Sequence, residues 1–296
     1  MAGRTCLIVG VMLMAAAAPA LTHDPPASCD EELLLLQARE RYLKHRVQKQ
    51  EALLNRRQLL CQKDSPHRDC ADAFSPGSKS GLYNIRPLGS PAPVQVYCDM
   101  SDGGGWTVVQ RRFDGSELFN RSWTEYKNGF GDKSEEFWFG NENLHYLTDQ
   151  GKYSVKFVLG DFEGKQSYAE YNNFRVGPEK SDYRLSFGAY SGTAGDALSG
   201  NYRTGVSLWA SHQGAKFTTY DRDNDNHAWG NCAQEDKGGW WFNRCHSAHL
   251  NGLYYPSGPY SAATDDGVVW VTWRGWWYSL KTTVMKLRPA DFKEHP

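Results

Sequence analysis

The sequence predicts an α+β chain: an antiparallel β-sheet with short helices, preceded by a short coiled-coil helix. Three observations predict it. Residues 30–61 contain no Pro or Gly and are dense in Leu, Glu, Gln, Lys and Arg, the composition of a helix. From about residue 70 the pattern changes to short alternating apolar and polar runs separated by Gly, Asn and Asp, which is how strands and tight turns read. Aromatic residues make up 14% of the chain, with 11 Trp, and 29 residues are Gly, which suits a turn-rich β domain whose loops pack on rings.

At the N-terminal end, Met1 and Arg4 precede an apolar run through Leu7, Ile8, Val9, Val11, Met12, Leu13 and Met14 into alanines, Pro19 and Ala20. A basic head, a short apolar core and a small-residue end predict a signal peptide over residues 1–20. The run falls short of the roughly 20 residues a membrane span needs, so secretion is expected and membrane insertion is not. Losing Cys6 with the leader leaves Cys29, Cys61, Cys70, Cys98, Cys232 and Cys245. An even set in an oxidising compartment predicts disulfides, whose connectivity the spacing leaves open. Zinc knuckles are disfavoured, because paired C-x-x-C and H-x-x-x-H spacings are absent.

Residues 21–63 hold the helical segment. With Leu33 at an a position, a and d fall on Leu33, Leu36, Glu40, Leu43, Val47, Gln50, Leu54 and Arg57. This seam is apolar but interrupted. Cys29 and Cys61 stand at its two ends, where thiols can lock neighbouring chains, so a disulfide-linked homo-oligomer is expected over a lone helix docked on the domain. Residues 64–69, with Pro66, form the linker. Strands are expected at Val94-Gln95-Val96-Tyr97, Trp106-Thr107-Val108-Val109 and Tyr153-Ser154-Val155-Lys156-Phe157, and helical pieces near residues 123–128 and 134–145.

A formal net charge of −1 gives no field to hold nucleic acid. No H-E-x-x-H, G-x-S-x-G or P-loop motif is present, so enzymatic function is not expected. Asp221, Asp223 and Asp225 alternate with Arg222 and Asn224. Crowded carboxylates read either as a solvated acidic turn or as oxygen ligands for calcium. An EF-hand starting at Asp221 is excluded, because it needs Gly at 226 and Glu at 232, where Asn226 and Cys232 stand. Asn120-Arg121-Ser122 is a glycosylation sequon. The doublets Trp240-Trp241 and Trp276-Trp277 are expected in the core over a stacking platform, since large rings usually bury.

The run Cys98-Asp99-Met100-Ser101-Asp102-Gly103-Gly104-Gly105-Trp106-Thr107-Val108-Val109-Gln110-Arg111-Arg112 resembles the opening signature of the fibrinogen C-terminal domain family. Trp240-Trp241-Phe242-Asn243-Arg244-Cys245-His246 with Leu250-Asn251-Gly252 is similar to its second signature, and Met285-Lys286-Leu287-Arg288-Pro289 to its last strand. The resemblance covers residues 70–292 and implies an antiparallel sheet with a loop-rich calcium and ligand subdomain. It implies Cys70–Cys98 and Cys232–Cys245 disulfides, leaving Cys29 and Cys61 for interchain bonds. It implies structural Ca2+ on the Asp223 and Asp225 side chains and the carbonyls of about His227 and Gly230. It also implies a pocket of Glu235, Asp236, Arg244, His246 and Asp265, with a cis Arg244–Cys245 peptide. His246 can equally be a structural histidine behind the disulfide. Acidic groups there favour a cationic ligand. Asp236 stands where the acetyl-binding lectins of the family look to carry an aromatic, which makes sugar binding less expected. The expectation is a ligand for a cell-surface receptor, with lymphocyte activation gene 3 protein, T-cell inhibition and hepatocyte growth as what the resemblance implies. A calcium-dependent lectin and a clot-associated protein are the alternatives.

Overall fold

The computed structural model describes residues 40, 42–44, 46–50 and 67–293. The chain divides into two compact units, Met1–Ser65 and Pro66–Pro296. The described residues of the first are helical. There Lys44 pairs with Glu40 at 2.7 Å one turn away, and Leu43 and Val47 stay half exposed. The expected leader, Cys29, Cys61 and the seam positions Leu33, Leu36, Leu54 and Arg57 lie outside the described residues.

The second unit is built on an antiparallel sheet. Its strands are β1 (Gly81–Ile85), β2 (Val94–Asp99), β3 (Trp106–Arg112), β4 (Phe130–Gly131), β5 (Phe137–Trp138), β6 (Tyr153–Gly160), β7 (Gln166–Val176), β8 (Leu185–Ser186) and β9 (Tyr190–Gly192). A hairpin of β10 (Ala248–His249) and β11 (Val269–Trp270) stands apart, and β12 (Thr282–Pro289) closes the chain. The main order is β1-β2-β3-β12-β6-β7-β8, with β5 on β3, β4 on β5 and β9 on β7. The last strand thus lies in the middle of the sheet, between β3 and β6.

Period-two alternation explains the packing. Val155, Phe157 and Leu159 of β6 face one side and are buried, as are Met285 and Leu287 of β12, which sit opposite Phe157 and Val155. Lys286 is buried on the other face and pairs with Asp99 at 2.8 Å and Asp102 at 3.3 Å. The helix α1 (Trp123–Asn128) starts at a capping box in which Ser122 and Glu125 satisfy each other's backbone amides.

The helix expected over 134–145 is corrected. It runs from Asn141 to Asp149 (α2), and residues before it form a turn and strand β5. Phe137, Trp138 and Phe139 are all fully buried, and a short apolar run of that kind does not distinguish strand from helix by periodicity.

Two disulfides staple the unit. Cys70–Cys98 and Cys232–Cys245 have Cα separations of 5.4 and 5.5 Å and close loops of 28 and 13 residues. Loops of that length contribute about 3–4 kcal/mol each in the chain-entropy estimate.

Between β9 and β12 the chain leaves the sheet, and buried polar contacts hold this excursion to β3. Gln110 donates to the Leu250 carbonyl at 2.8 Å, and Arg112 donates to the Gly252 carbonyl at 2.9 Å. Arg112 lies 3.5 Å from Glu136, both side chains almost without solvent contact. Glu136 in turn accepts from the amides of Phe113, Asp114 and Gly115. Glu136→Gln keeps the shape but leaves the guanidinium buried without a carboxylate, and should cost about 3–5 kcal/mol. Non-reducing urea unfolding measures it, and a loss below about 1 kcal/mol would show that the pair is dispensable.

Candidate functional site

The excursion carries α3 (Ser207–Ala210), α4 (Cys232–Glu235) and α5 (Val271–Arg274). The acidic loop lies before α4. Asp221 accepts from the Trp123 amide at 2.8 Å and from Thr219 Oγ1 at 2.7 Å, so it ties the loop to α1. Asp223 accepts from the Asp225 amide at 3.2 Å. Asp225 accepts from the amides of His227 at 2.8 Å and Cys232 at 2.9 Å. Burial, with the Asp223 charge adding to it, pushes the Asp225 carboxyl up from 3.8 to about 6 despite those two amides. A desolvated carboxylate beside a second one is a donor set that a hard cation relieves. The residues therefore fit calcium. At Gly230 the Glu235 carboxylate and the His227 ring come close, and a Cβ there would displace the Glu235 side chain.

Beyond α4 the chain folds the pocket. Asp236 is the C-cap of α4, and the Arg244–Cys245 peptide, beside the disulfide to the first residue of α4, is cis. A cavity of about 340 Å3 is lined by Glu235, Asp236, Arg244, His246 and Asp265, with Trp209, Trp276 and Trp277 forming its apolar wall. All five residues expected from the sequence thus surround one cavity. Thr264 Oγ1 donates to the Glu235 carbonyl at 2.9 Å and pins the Asp265 loop to α4. Trp209 and Trp276 stack with centroids 6.4 Å apart, and the Arg244 amide donates to the Trp209 carbonyl at 2.7 Å.

His246 is buried, with Nε2 3.4 Å from Asp236 and 3.5 Å from Asp265. Burial pulls its pKa down, but the two carboxylates outweigh burial and hold it above the ordinary value. Two further histidines lie beneath. His212 is driven to about 3 by burial; its Nδ1 donates to the Trp241 carbonyl and its Nε2 accepts from the amides of Ser247 and Ala248. His249 is also pushed down by burial and by the neighbouring His246, and its Nε2 donates to the Asp236 carbonyl. A histidine held above its ordinary value thus lies beside two that burial pushes below theirs.

A family model described as the C-terminal globular domain of the fibrinogen beta and gamma chains matches residues 66–290. The chain belongs to the fibrinogen C-terminal domain family. Among curated relatives, human fibrinogen-like protein 1 is 55% identical over 284 residues, covering 89% of this chain and 90% of that one. The rat fibrinogen gamma chain is 45% identical over 246 residues, covering 77% of this chain and 55% of the relative. Among solved structures, the fibrinogen-like globe domain of human ANGPTL2 aligns with a TM-score of 0.70 at 44% identity, covering 76% of this chain and 99% of that one. A lamprey fibrin D-dimer complexed with the peptide Gly-His-Arg-Pro-amide aligns with a TM-score of 0.73 at 39% identity, covering 90% of each chain.

Within this fibrinogen-type domain the tryptophans divide. Trp240 and Trp241 are buried against Trp138, as expected. Trp276 and Trp277 are not core residues: Trp277 is 51% exposed, and both line the pocket. Trp276 stacks on Trp209, and Trp277 meets the Tyr260 ring at a centroid distance of 5.7 Å. Trp209 was not singled out by any motif, and Thr264 carries no sequence signal. The doublet itself was the one available hint of the wall. Trp229, in the acidic loop, is 95% exposed. Asn120 is exposed, and the Ser122 of its sequon serves as the N-cap of α1.

In chelator-treated protein the His246 imidazolium should persist above the ordinary histidine range. Its raised pKa gives the fold stability that is fully present below about pH 6.5 and is lost as pH rises through the native value. Asp265→Asn removes one supporting charge and should lower that value, read by NMR titration of the ring. An unchanged titration midpoint would count against the pairing.

Proposed function

We propose that this chain is a secreted, non-enzymatic ligand whose fibrinogen C-terminal domain binds a cell-surface receptor through the acidic pocket and its tryptophan rim. The observation that carries this reading is the pocket itself: carboxylates of Glu235 and Asp265 that reach solvent, set in a wall of Trp209, Trp276 and Trp277. Carboxylate and aromatic faces together recognise a cationic group, such as an amine or a guanidinium. The peptide bound by the lamprey relative, with a free glycine amine and an arginine, has that chemistry. Asp236 at the pocket floor is unsuited to an acetyl group, so the lectin reading gains no support from the geometry.

Near-full-length similarity to fibrinogen-like protein 1 supports a finer assignment: inhibition of T cells through lymphocyte activation gene 3 protein, and growth promotion of hepatocytes. No helix among the described residues is long and apolar enough to cross a membrane, and residues 1–20 serve as a signal peptide. The exposed Leu43 and Val47 supply part of a coiled-coil seam, and Cys29 and Cys61 lock the chains, so that several weak contacts act together. The domains are then residues 1–20, 21–63, 64–69 and 70–292, as the sequence patterns divide them.

The receptor reading is tested by binding of the full chain to the immobilised receptor ectodomain. Asp265→Asn and Trp277→Ala should each weaken it about tenfold, a change of about 1.4 kcal/mol. Binding untouched by both substitutions would place the contact on another face.

Structural calcium on Asp223, Asp225 and the carbonyls near His227 and Gly230 is the second element, in keeping with a family that commonly binds it. The raised Asp225 pKa means that its ionised form burdens the fold increasingly as pH rises from 3.8 through about 6, and bound calcium offsets that burden. Calcium should therefore raise the unfolding temperature at about pH 7.5 and do so far less at about pH 5, where the proton competes. Asp225→Asn should abolish the calcium increment at both pH values in differential scanning calorimetry.

A further inference from the structure

Three donor atoms in the pocket converge. Asp236, His246 and Asp265 each bring a donor atom within 4.8 Å of the others', and His246 Nε2 stands 3.4 Å from Asp236 Oδ2 and 3.5 Å from Asp265 Oδ2. Asp236 is 2% exposed and His246 1%. Even so, Asp236 Oδ2 and both ring nitrogens of His246 have no aligned hydrogen-bond partner. Polar atoms buried that deeply are ordinarily hydrogen-bonded. Both residues line the cavity.

The separations identify what fits. Zinc binds imidazole nitrogen at about 2.0–2.1 Å and carboxylate oxygen at about 2.0–2.2 Å, so neighbouring donors in a tetrahedral shell stand about 3.3–3.5 Å apart. The two distances from Nε2 already have that edge length. Calcium is a poorer match, because it takes six to eight oxygen ligands at about 2.3–2.6 Å and has little use for an imidazole. Two carboxylates also balance the charge of a divalent ion. The donors are held by independent supports: Asp236 caps α4, His246 follows the disulfide cysteine, and Asp265 is pinned through Thr264. Among the described residues, the other grouping of metal-type side chains, His227 with Cys232 and Cys245, offers no thiolate, because its sulfurs are bonded to each other.

We propose that Asp236, His246 and Asp265 form a transition-metal site, with Zn2+ as the fitting ion, three protein ligands and a fourth position open to the cavity. It is separate from the calcium loop at Asp223 and Asp225. The ion occupies the place where a cationic group of a protein ligand would sit, so metal and such a ligand exclude each other. The metal site does not depend on the receptor reading.

The test uses the untagged full chain, stripped with chelator, desalted and titrated with Co2+, whose d–d absorption reports coordination number. The expected result is one equivalent bound with the intense visible spectrum of four-coordinate cobalt, displaced by Zn2+ but not by excess Ca2+. Asp265 lies at the pocket edge, so Asp265→Asn, checked for folding by circular dichroism, should weaken cobalt binding at least tenfold. Asp223→Asn should leave it intact. His246→Gln, checked for folding by circular dichroism, should remove the four-coordinate spectrum. A weak six-coordinate spectrum, or affinity equal in wild type and Asp265→Asn, overturns the proposal whatever the receptor assay shows.

Discussion

The buried contact between Arg112 and Glu136 fixes where everything else can sit. Arg112 ends β3 with its guanidinium out of water, 4.0 Å over the Phe119 ring. Glu136 is equally buried and spends its Oε1 on three consecutive amides of the turn after β3. Each ion alone would cost several kcal/mol to desolvate. The arrangement holds only while the carbonyls of Leu250 and Gly252 stay in reach of Arg112. Moving the second-signature segment would strand a buried cation. The sheet therefore dictates the position of residues 250–252, and through the short β10 that of His246 just before them.

A second layer carries that precision to the pocket. Trp138 of β5 meets Trp240 and Trp241 at centroid distances of 6.4 and 6.0 Å, and Trp241 donates its indole N–H to the Tyr183 carbonyl. Gly239 sits where a Cβ would strike the Tyr126 ring at 2.6 Å, which lets the chain run close under α1. A few residues further on, the disulfide returns the chain to α4. The pocket is thus suspended between a rigid aromatic layer and a staple. Preorganisation of this kind is what makes carboxylates held near each other able to discriminate among cations.

Much of the fold was legible because local signals and packing agree. The alternation in Tyr153–Gly160 and Trp106–Arg112 reads directly as strands, and Ser122 with Glu125 marks the start of α1. Where they part company, the sequence misleads. Phe137-Trp138-Phe139 is apolar on every side because it is buried on every side, so its period carries no information, and the helix was expected too early. Trp240-Trp241 and Trp276-Trp277 are the same dipeptide with opposite fates. One pair lies against Trp138 and the other follows α5 onto the surface, a difference set by distant neighbours. The pocket residues likewise show no pattern among themselves: Asp236, His246 and Asp265 fall on three separate stretches, and only the resemblance to a family grouped them in advance.

The two acidic features differ in how their oxygens are employed, and this separates their roles. In the loop, Asp221 and Asp225 accept from backbone amides, so these carboxylates hold the loop in shape, and Asp225 does so while standing beside Asp223. In the pocket, Asp236 Oδ2 lacks an aligned donor, so its capacity is left for a ligand. The features are also joined mechanically. Asp225 Oδ2 accepts from the amide of Cys232, the first residue of α4, and Asp236 is the C-cap of the same single-turn helix. Whatever neutralises Asp225 acts on one end of that turn, and whatever engages Asp236 acts on the other. A helix of four residues braced by a disulfide has little room to deform between them. The loop and the pocket therefore share one turn of helix while drawing on different carboxylates.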